Sequence, residues 1–233
     1  MESSLNTSRV LVIVPVYNEQ PHVLQQTVAA LRATGVQILI VDDGSSPPVR
    51  SGLAPEVVIL RHAVNLGQGA ALQTGMAYAR ERLQIDIVVH FDADGQHAAT
   101  SILDLLSPLL DDSVDIVFGS RFLRRADRRL IPPLRRWTLR LGRIFNRLTT
   151  GVWMTDAHIG LRALNRRAFE RIFLKENRMA YATELLWQIK QHRLRWREVP
   201  VTVAYTPYSR AKGQSSWNAI RIAGNVLLRL IYR

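Results

Sequence analysis

The sequence predicts an α/β class chain, a single domain with a mostly parallel central sheet, and three observations point there. Short runs rich in Val, Ile and Leu alternate with helix-length stretches through the first half of the 233 residues. These runs are near-continuously apolar, as strands buried on both faces of a parallel sheet are. Polar or glycine-rich clusters follow the ends of several runs, where open α/β sheets gather their ligands.

Element by element, strands are expected at 10–16, 36–42, 57–61, 86–92 and 115–119, with helices at 21–34, 69–83 and 100–110 between them. The second half changes character. Residues 121–147 hold ten arginines against the single acid Asp127. Pro132-Pro133 opens a helix running to about residue 148, because proline is tolerated in a first helical turn. Leu134, Trp137, Leu141, Ile144, Phe145 and Leu148 recur there at helical spacing, with arginines on the opposite face. A helix at 179–191, a strand at 196–205 and an amphipathic helix at 216–232 complete the reading.

Composition narrows the function. The absence of cysteine excludes disulfides, thiolate catalysis and cysteine-based zinc sites. With 31 Lys+Arg against 19 Asp+Glu, the net charge of +12 asks for an anionic partner. Stacking platforms for nucleic acid are not expected, since Trp137 and Phe145 fall on the apolar stripe rather than among the arginines. A surface meeting lipid headgroups, with some arginines gripping a phosphate, accounts for charge and amphipathicity together. No stretch reaches the ~18–20 apolar residues that span a bilayer, and no secretion signal is read at the start.

Three acidic or polar clusters are expected to converge on one sheet edge: Tyr17-Asn18-Glu19, Asp42-Asp43-Gly44-Ser45-Ser46 and Asp92-Ala93-Asp94-Gly95-Gln96-His97. Two aspartates two residues apart past a strand end suit a hard divalent cation, Mg2+ or Mn2+, which takes one or two carboxylates together with substrate phosphates. Gln96 adds a neutral oxygen and His97 an imidazole; a helix-capping loop would use the same residue types. Asp42 and Asp43 suit a turn, and equally a hydrogen bond to a base or ribose. Asn65-Leu66-Gly67-Gln68-Gly69 fails the dinucleotide fingerprint, since leucine stands at 72. Its glycines serve either close approach to a phosphate or tight packing. Neither an H-E-x-x-H spacing nor a G-x-S-x-G elbow occurs.

In order, the motifs Val14-Pro15-Val16-Tyr17-Asn18-Glu19, Val41-Asp42-Asp43-Gly44-Ser45, Asn65-x-Gly67-x-Gly69 and Asp92-Ala93-Asp94-Gly95-Gln96-His97 resemble family 2 glycosyltransferases with the Rossmann-like GT-A fold. Gly119-Ser120-Arg121, Asn146, Asp156-x-x-x-Gly160-x-Arg162-Ala163 and Arg210-x-x-Gly213-x-Ser215 are similar to the dolichyl- and polyprenyl-phosphate mannose or glucose synthase branch. The resemblance implies one domain over 1–233, with a nucleotide-sugar half at 9–120 and an acceptor half with basic amphipathic helices at 121–233. By it, Pro15, Tyr17, Glu19, Asp43, Gln68 and Asp92 bind the nucleotide-sugar, and Asp92, Asp94 and Gln96 hold the metal. Arg121, Arg135 and Arg136 take the acceptor phosphate, while Arg210, on a loop at 208–216, closes over the donor diphosphate; Asp94, Arg121 and Arg210 form the catalytic set. Gln68 stands where many relatives carry lysine.

The expected reaction is inverting transfer from a UDP-, GDP- or dTDP-linked sugar to a polyprenyl-phosphate acceptor. It is expected at the cytoplasmic face of an anionic membrane, peripherally bound, with a separate membrane-anchoring subunit as a further partner. A hydroxyl acceptor on a glycan or protein would instead need a general base, for which Glu184 and Asp156 are the candidates. A non-catalytic basic binding protein is the contrasting class.

Overall fold

The computed structural model describes residues 6–50, 53–131, 133–157 and 159–204. Arg210, its loop, the expected helix over 216–232 and the side chain of Arg135 lie outside the described residues. The chain runs β1 (Val10–Val16), α1 (Pro21–Arg32), β2 (Gln37–Asp42), β3 (Val58–Arg61), α2 (Gln68–Arg80), β4 (Ile87–His90), α3 (Ser101–Leu110) and β5 (Ile116–Ser120). It continues through α4 (Arg125–Leu130), α5 (Pro133–Thr150), β6 (Arg162–Asn165), α6 (Arg166–Arg171), α7 (Tyr181–Gln191) and β7 (Trp196–Pro200).

One seven-stranded sheet in the order β3-β2-β1-β4-β6-β5-β7 links these elements. Every pairing is parallel except those of β6, which runs antiparallel to both β4 and β5. Alternate residues of β1 feed two cores. Val10, Val12, Val14 and Val16 pack with Leu24, Val28, Ile102 and Leu105 of α1 and α3. Leu11 and Ile13 pack with Leu72, Met76, Phe169 and Leu185 of α2, α6 and α7. Burial on both faces is why β1 reads as an unbroken apolar run.

The α/β class and the mostly parallel sheet stand as expected, with differences at the joints. Four-residue β6 and the six-residue helices α4 and α6 were not anticipated: each is too short to show a period, and β6 begins with arginine. The strand expected over 196–205 ends at Pro200, leaving Val203 in a single antiparallel bridge with His97. Among the described residues, no helix is long and apolar enough to cross a membrane.

The basic amphipathic helix α5 is present, but it is buried through an unexpected face. Among its described side chains Asn146 and Thr150 are the buried ones: Asn146 Oδ1 accepts from Thr183 Oγ1 of α7 at 3.1 Å. Four residues of the apolar stripe point away, Trp137 64%, Leu141 55%, Ile144 48% and Leu148 80% exposed.

Candidate active site

The connectivity reverses at β1: β2 and β3 lie to one side and β4 to the other. Such a switch point opens a crevice at the carboxyl ends of the flanking strands. Here those ends carry Tyr17-Asn18-Glu19 after β1 and Asp92-Ala93-Asp94 shortly after β4.

Asp92 is fixed from two sides. Gln68 Nε2, at the first residue of α2, donates to Asp92 Oδ1 at 2.8 Å. On the other side Gly160 abuts the carboxylate so closely that an added Cβ would lie 1.9 Å from Oδ2. His97 Nε2 stands 3.9 Å from Asp92 Oδ2. Burial lowers the His97 pKa to about 4, with Arg121 acting the same way and Asp94 and Asp156 opposing, so the ring is neutral at physiological pH.

Asp94 accepts the Gln96 amide at 3.1 Å. Burial, then the negative charge of Asp92, push its carboxyl above the ordinary range; Glu19 adds to this, while the Gln96 N–H and His97 work against it. Three acids therefore share one electrostatic neighbourhood. Among the described residues, no three His, Cys, Asp or Glu side chains form a ready-made cation cage. Two mutually repelling aspartates do fit a hard divalent ion that completes its shell with water and substrate phosphate.

The other predicted nucleotide-site residues divide by their partners. Tyr17 is exposed, and Pro15 and Glu19 are half-buried, all along the β1 end. Asn18 locks this loop to the next one, its amide donating to Ser45 Oγ at 2.9 Å and its Oδ1 accepting from the Ser46 amide at 2.8 Å. Asp43 is buried, accepting from the Leu66 amide at 2.9 Å and the Gly67 amide at 2.7 Å, with His62 Nδ1 2.8 Å away. It thereby shapes the start of α2 and, through it, the placement of Gln68. Asp42, the other half of the pair, accepts from the Ser45 and Val49 amides and from Arg61 Nη1. The glycine motif packs against protein: a Cβ on Gly69 would sit 2.0 Å from the Glu176 carbonyl oxygen.

Arg121, expected to take the acceptor phosphate, lies buried in a two-point pair with Asp156, with Nε to Oδ2 at 2.6 Å and Nη2 to Oδ1 at 2.7 Å. Removing one partner of such a pair costs about 3–5 kcal/mol, so a phosphate reaching Arg121 competes with Asp156. Glu198 of β7 holds the same loop, accepting from the Thr155 and Asp156 amides at 2.9 Å. Arg136 Nη2 donates to the carbonyls of Arg128 and Ile131, tying α5 to the end of α4. Glu184, a candidate base, accepts from the Lys175 and Glu176 amides instead.

Sequence reasoning missed Gly160, His62 and Glu198 as residues that shape the site. Gly160 stood in a quoted motif; its contact with Asp92 joins segments far apart in the chain and has no local signature. Val203, bridged to His97, and the Ala204 amide, which donates to the Gln96 carbonyl at 2.9 Å, bring the segment that precedes residue 205 to the same loop.

Known proteins resemble this chain. The sequence profile described as Glycosyl transferase family 2 matches residues 11–173. A UDP-N-acetylglucosamine–dolichyl-phosphate N-acetylglucosaminyltransferase of Methanococcus voltae is 31% identical over 94% of this chain and 95% of its own length. A polyprenol monophosphomannose synthase of Mycolicibacterium smegmatis is 30% identical over 84% of this chain and 77% of its own. Among solved structures, glucosyl-3-phosphoglycerate synthase from Mycobacterium tuberculosis, in complex with Mn2+, UDP and phosphoglyceric acid, superposes with a TM-score of 0.63. It covers 94% of this chain and 78% of its own at 16% identity, a likeness of fold.

Proposed function

Because the chain belongs to glycosyl transferase family 2, we propose that it transfers a sugar, with inversion, from a nucleotide-diphospho-sugar to a polyprenyl-phosphate acceptor at a membrane surface. The observation that carries this reading is the pair Asp92 and Asp94 at the switch-point crevice, beside Glu19, where crowded negative charge calls for a cation. Asp92 and Asp94, with Gln96 beside them, would hold Mg2+ or Mn2+. When bound, the ion would supply Lewis-acid neutralisation of the charge leaving with the nucleoside diphosphate. Pro15, Tyr17 and Glu19 line the nucleotide's side of the crevice, in the half spanning 9–120. Asp43 acts there by fixing the loop that presents Gln68. Arg210 is kept at the donor diphosphate on the resemblance alone.

The acceptor is assigned to the half spanning 121–233, where Arg121, Arg135 and Arg136 supply positive charge for its phosphate. A phosphate monoester, with a second pKa of about 6, is already ionised near neutrality and attacks the sugar's anomeric carbon without a strong base. This agrees with the two carboxylates considered as bases: Asp156 is tied to Arg121 and Glu184 to backbone amides. A hydroxyl acceptor would leave that requirement unmet. The relatives above are named for polyprenyl-type phosphate acceptors, which supports the same choice. The exposed stripe Trp137, Leu141, Ile144 and Leu148, flanked by arginines, suits a peripheral seat on an anionic bilayer.

The test is transfer from UDP-, GDP- and dTDP-sugars to a polyprenyl phosphate, with Mn2+ or with EDTA. Transfer should need the metal, and Asp94→Asn should abolish it, a fall of about 100-fold or more, while leaving the protein folded. Undiminished transfer by the variant, or transfer in EDTA, would remove the metal assignment. Transfer to a glycan but not to the lipid phosphate would replace the acceptor.

A further inference from the structure

Arg162, the first residue of β6, is 1% exposed in the middle of the sheet. A guanidinium there is costly unless its hydrogen bonds are met. Two of its nitrogens converge on one atom: Nε and Nη2 donate to the Ile159 carbonyl oxygen at 3.0 and 2.8 Å. Its Cζ lies 5.8 Å from the Phe118 ring centre and 5.1 Å from that of Tyr181. The antiparallel register sets His90 directly opposite. An imidazole is neutral or cationic, so His90 gives the arginine no countercharge. Arg162 Nη1 and both His90 ring nitrogens are buried without partners.

An apolar side chain would fill this position at less cost. What it could not do is hold a carbonyl three residues upstream by a planar fork. The held carbonyl belongs to Ile159, and the next residue is Gly160, the wall against Asp92 Oδ2. With Gln68 on Oδ1 at 2.8 Å, that wall decides which way the carboxylate faces.

We infer that Arg162 is a positioning residue of the metal site: through the Ile159 carbonyl and Gly160 it sets the Asp92 carboxylate in the orientation that receives a divalent cation. This rests on the reading of Asp92 and Asp94 as cation ligands. Groups that orient a ligand from behind are worth about 10–100-fold in metal affinity.

Mn2+ is titrated into the full chain with UDP, GDP or dTDP present, free ion being read by electron paramagnetic resonance. Arg162→Lys keeps the charge and loses the fork; Arg162→Met loses both and removes the burden of a buried cation should the lysine variant not fold. Gly160→Ala, which pushes on Asp92 directly, is the comparison. Both Arg162 variants should bind Mn2+ about tenfold more weakly or worse, with a melting temperature that stays within a few degrees in at least one of them. The Asp92 carboxyl ¹³C resonance of metal-free protein should move in the same variants. Mn2+ affinity within twofold of the parent in both, or an unmoved Asp92 signal, overturns the inference. Should the parent bind no Mn2+ with any of the three nucleotides, the cation reading itself falls; the Asp92 signal then decides the positioning alone, moved for it and unmoved against it.

Discussion

Burial and the charge of Asp92 push the Asp94 carboxyl above the ordinary range, so without a cation its ionisation costs the folded chain stability. A carboxyl raised in this way contributes stability below its unfolded pKa and loses that contribution as pH rises through the folded value. Metal-free Asp94→Asn should therefore melt higher than the parent at about pH 8, with the gap closing as pH falls to about 4, the ordinary carboxylate range. Addition of Mn2+ and nucleotide should reverse the order, because only the parent gains from ligand. Thermal melts across pH with and without ligand read both effects, and equal melting at pH 8 would contradict the electrostatic account. At this scale the sequence was informative about residue type and silent about occupancy. Asp-x-Asp past a strand end was legible. That both Asp43 oxygens meet amides of residues 66 and 67, and that the Arg121 fork meets Asp156, was not, since each partner lies far along the chain.

At the scale of elements, α5 shows how periodicity reports one face of a helix and not its neighbour. Trp137, Leu141, Ile144 and Leu148 lie 4, 3 and 4 residues apart and form a single stripe, which the sequence displays. The side that docks on the domain instead uses Asn146 against Thr183, a polar contact with no apolar period. The stripe is thus available to a bilayer. Trp137→Ser combined with Leu141→Ser should weaken binding to anionic liposomes about tenfold or more, since each large side chain buried contributes about 1.5–3 kcal/mol. Transfer to a short, soluble acceptor phosphate should be nearly unchanged. Co-sedimentation at low and high salt checks this, and unchanged binding would move the membrane contact elsewhere. Exposed Trp153, with Arg147 and Arg143 4.6 and 5.0 Å from its ring centre, is a neighbouring surface that no pattern in the sequence marked.

For the whole molecule, the parallel strands were legible because burial on both faces leaves a run of apolar residues, whereas β6 was not, being four residues from Arg162 to Asn165. Yet among the described residues β6 alone joins the set β3-β2-β1-β4 to the pair β5-β7. Its Ala163 stands between Val89 and Val117, one on each side. Proline there removes an amide from the ladder and weakens the joint. All five tryptophans lie at or beyond residue 137, so their fluorescence follows the second half while circular dichroism follows both. In Ala163→Pro the fluorescence transition should fall at lower urea than the dichroism transition, where the parent's two coincide; coincidence in the variant would mean that the halves do not depend on β6. A chain growing from its amino end makes the order of assembly explicit. The first four strands are complete once residue 90 has emerged, but β5 has no neighbour among them and waits for residues 162–165. Gly160 arrives with that same stretch. A nascent chain short of it carries both aspartates without the glycine that abuts one of them, so the crevice takes its form only after the β3-β2-β1-β4 set has emerged, while β7 at Trp196–Pro200 has still to join the sheet.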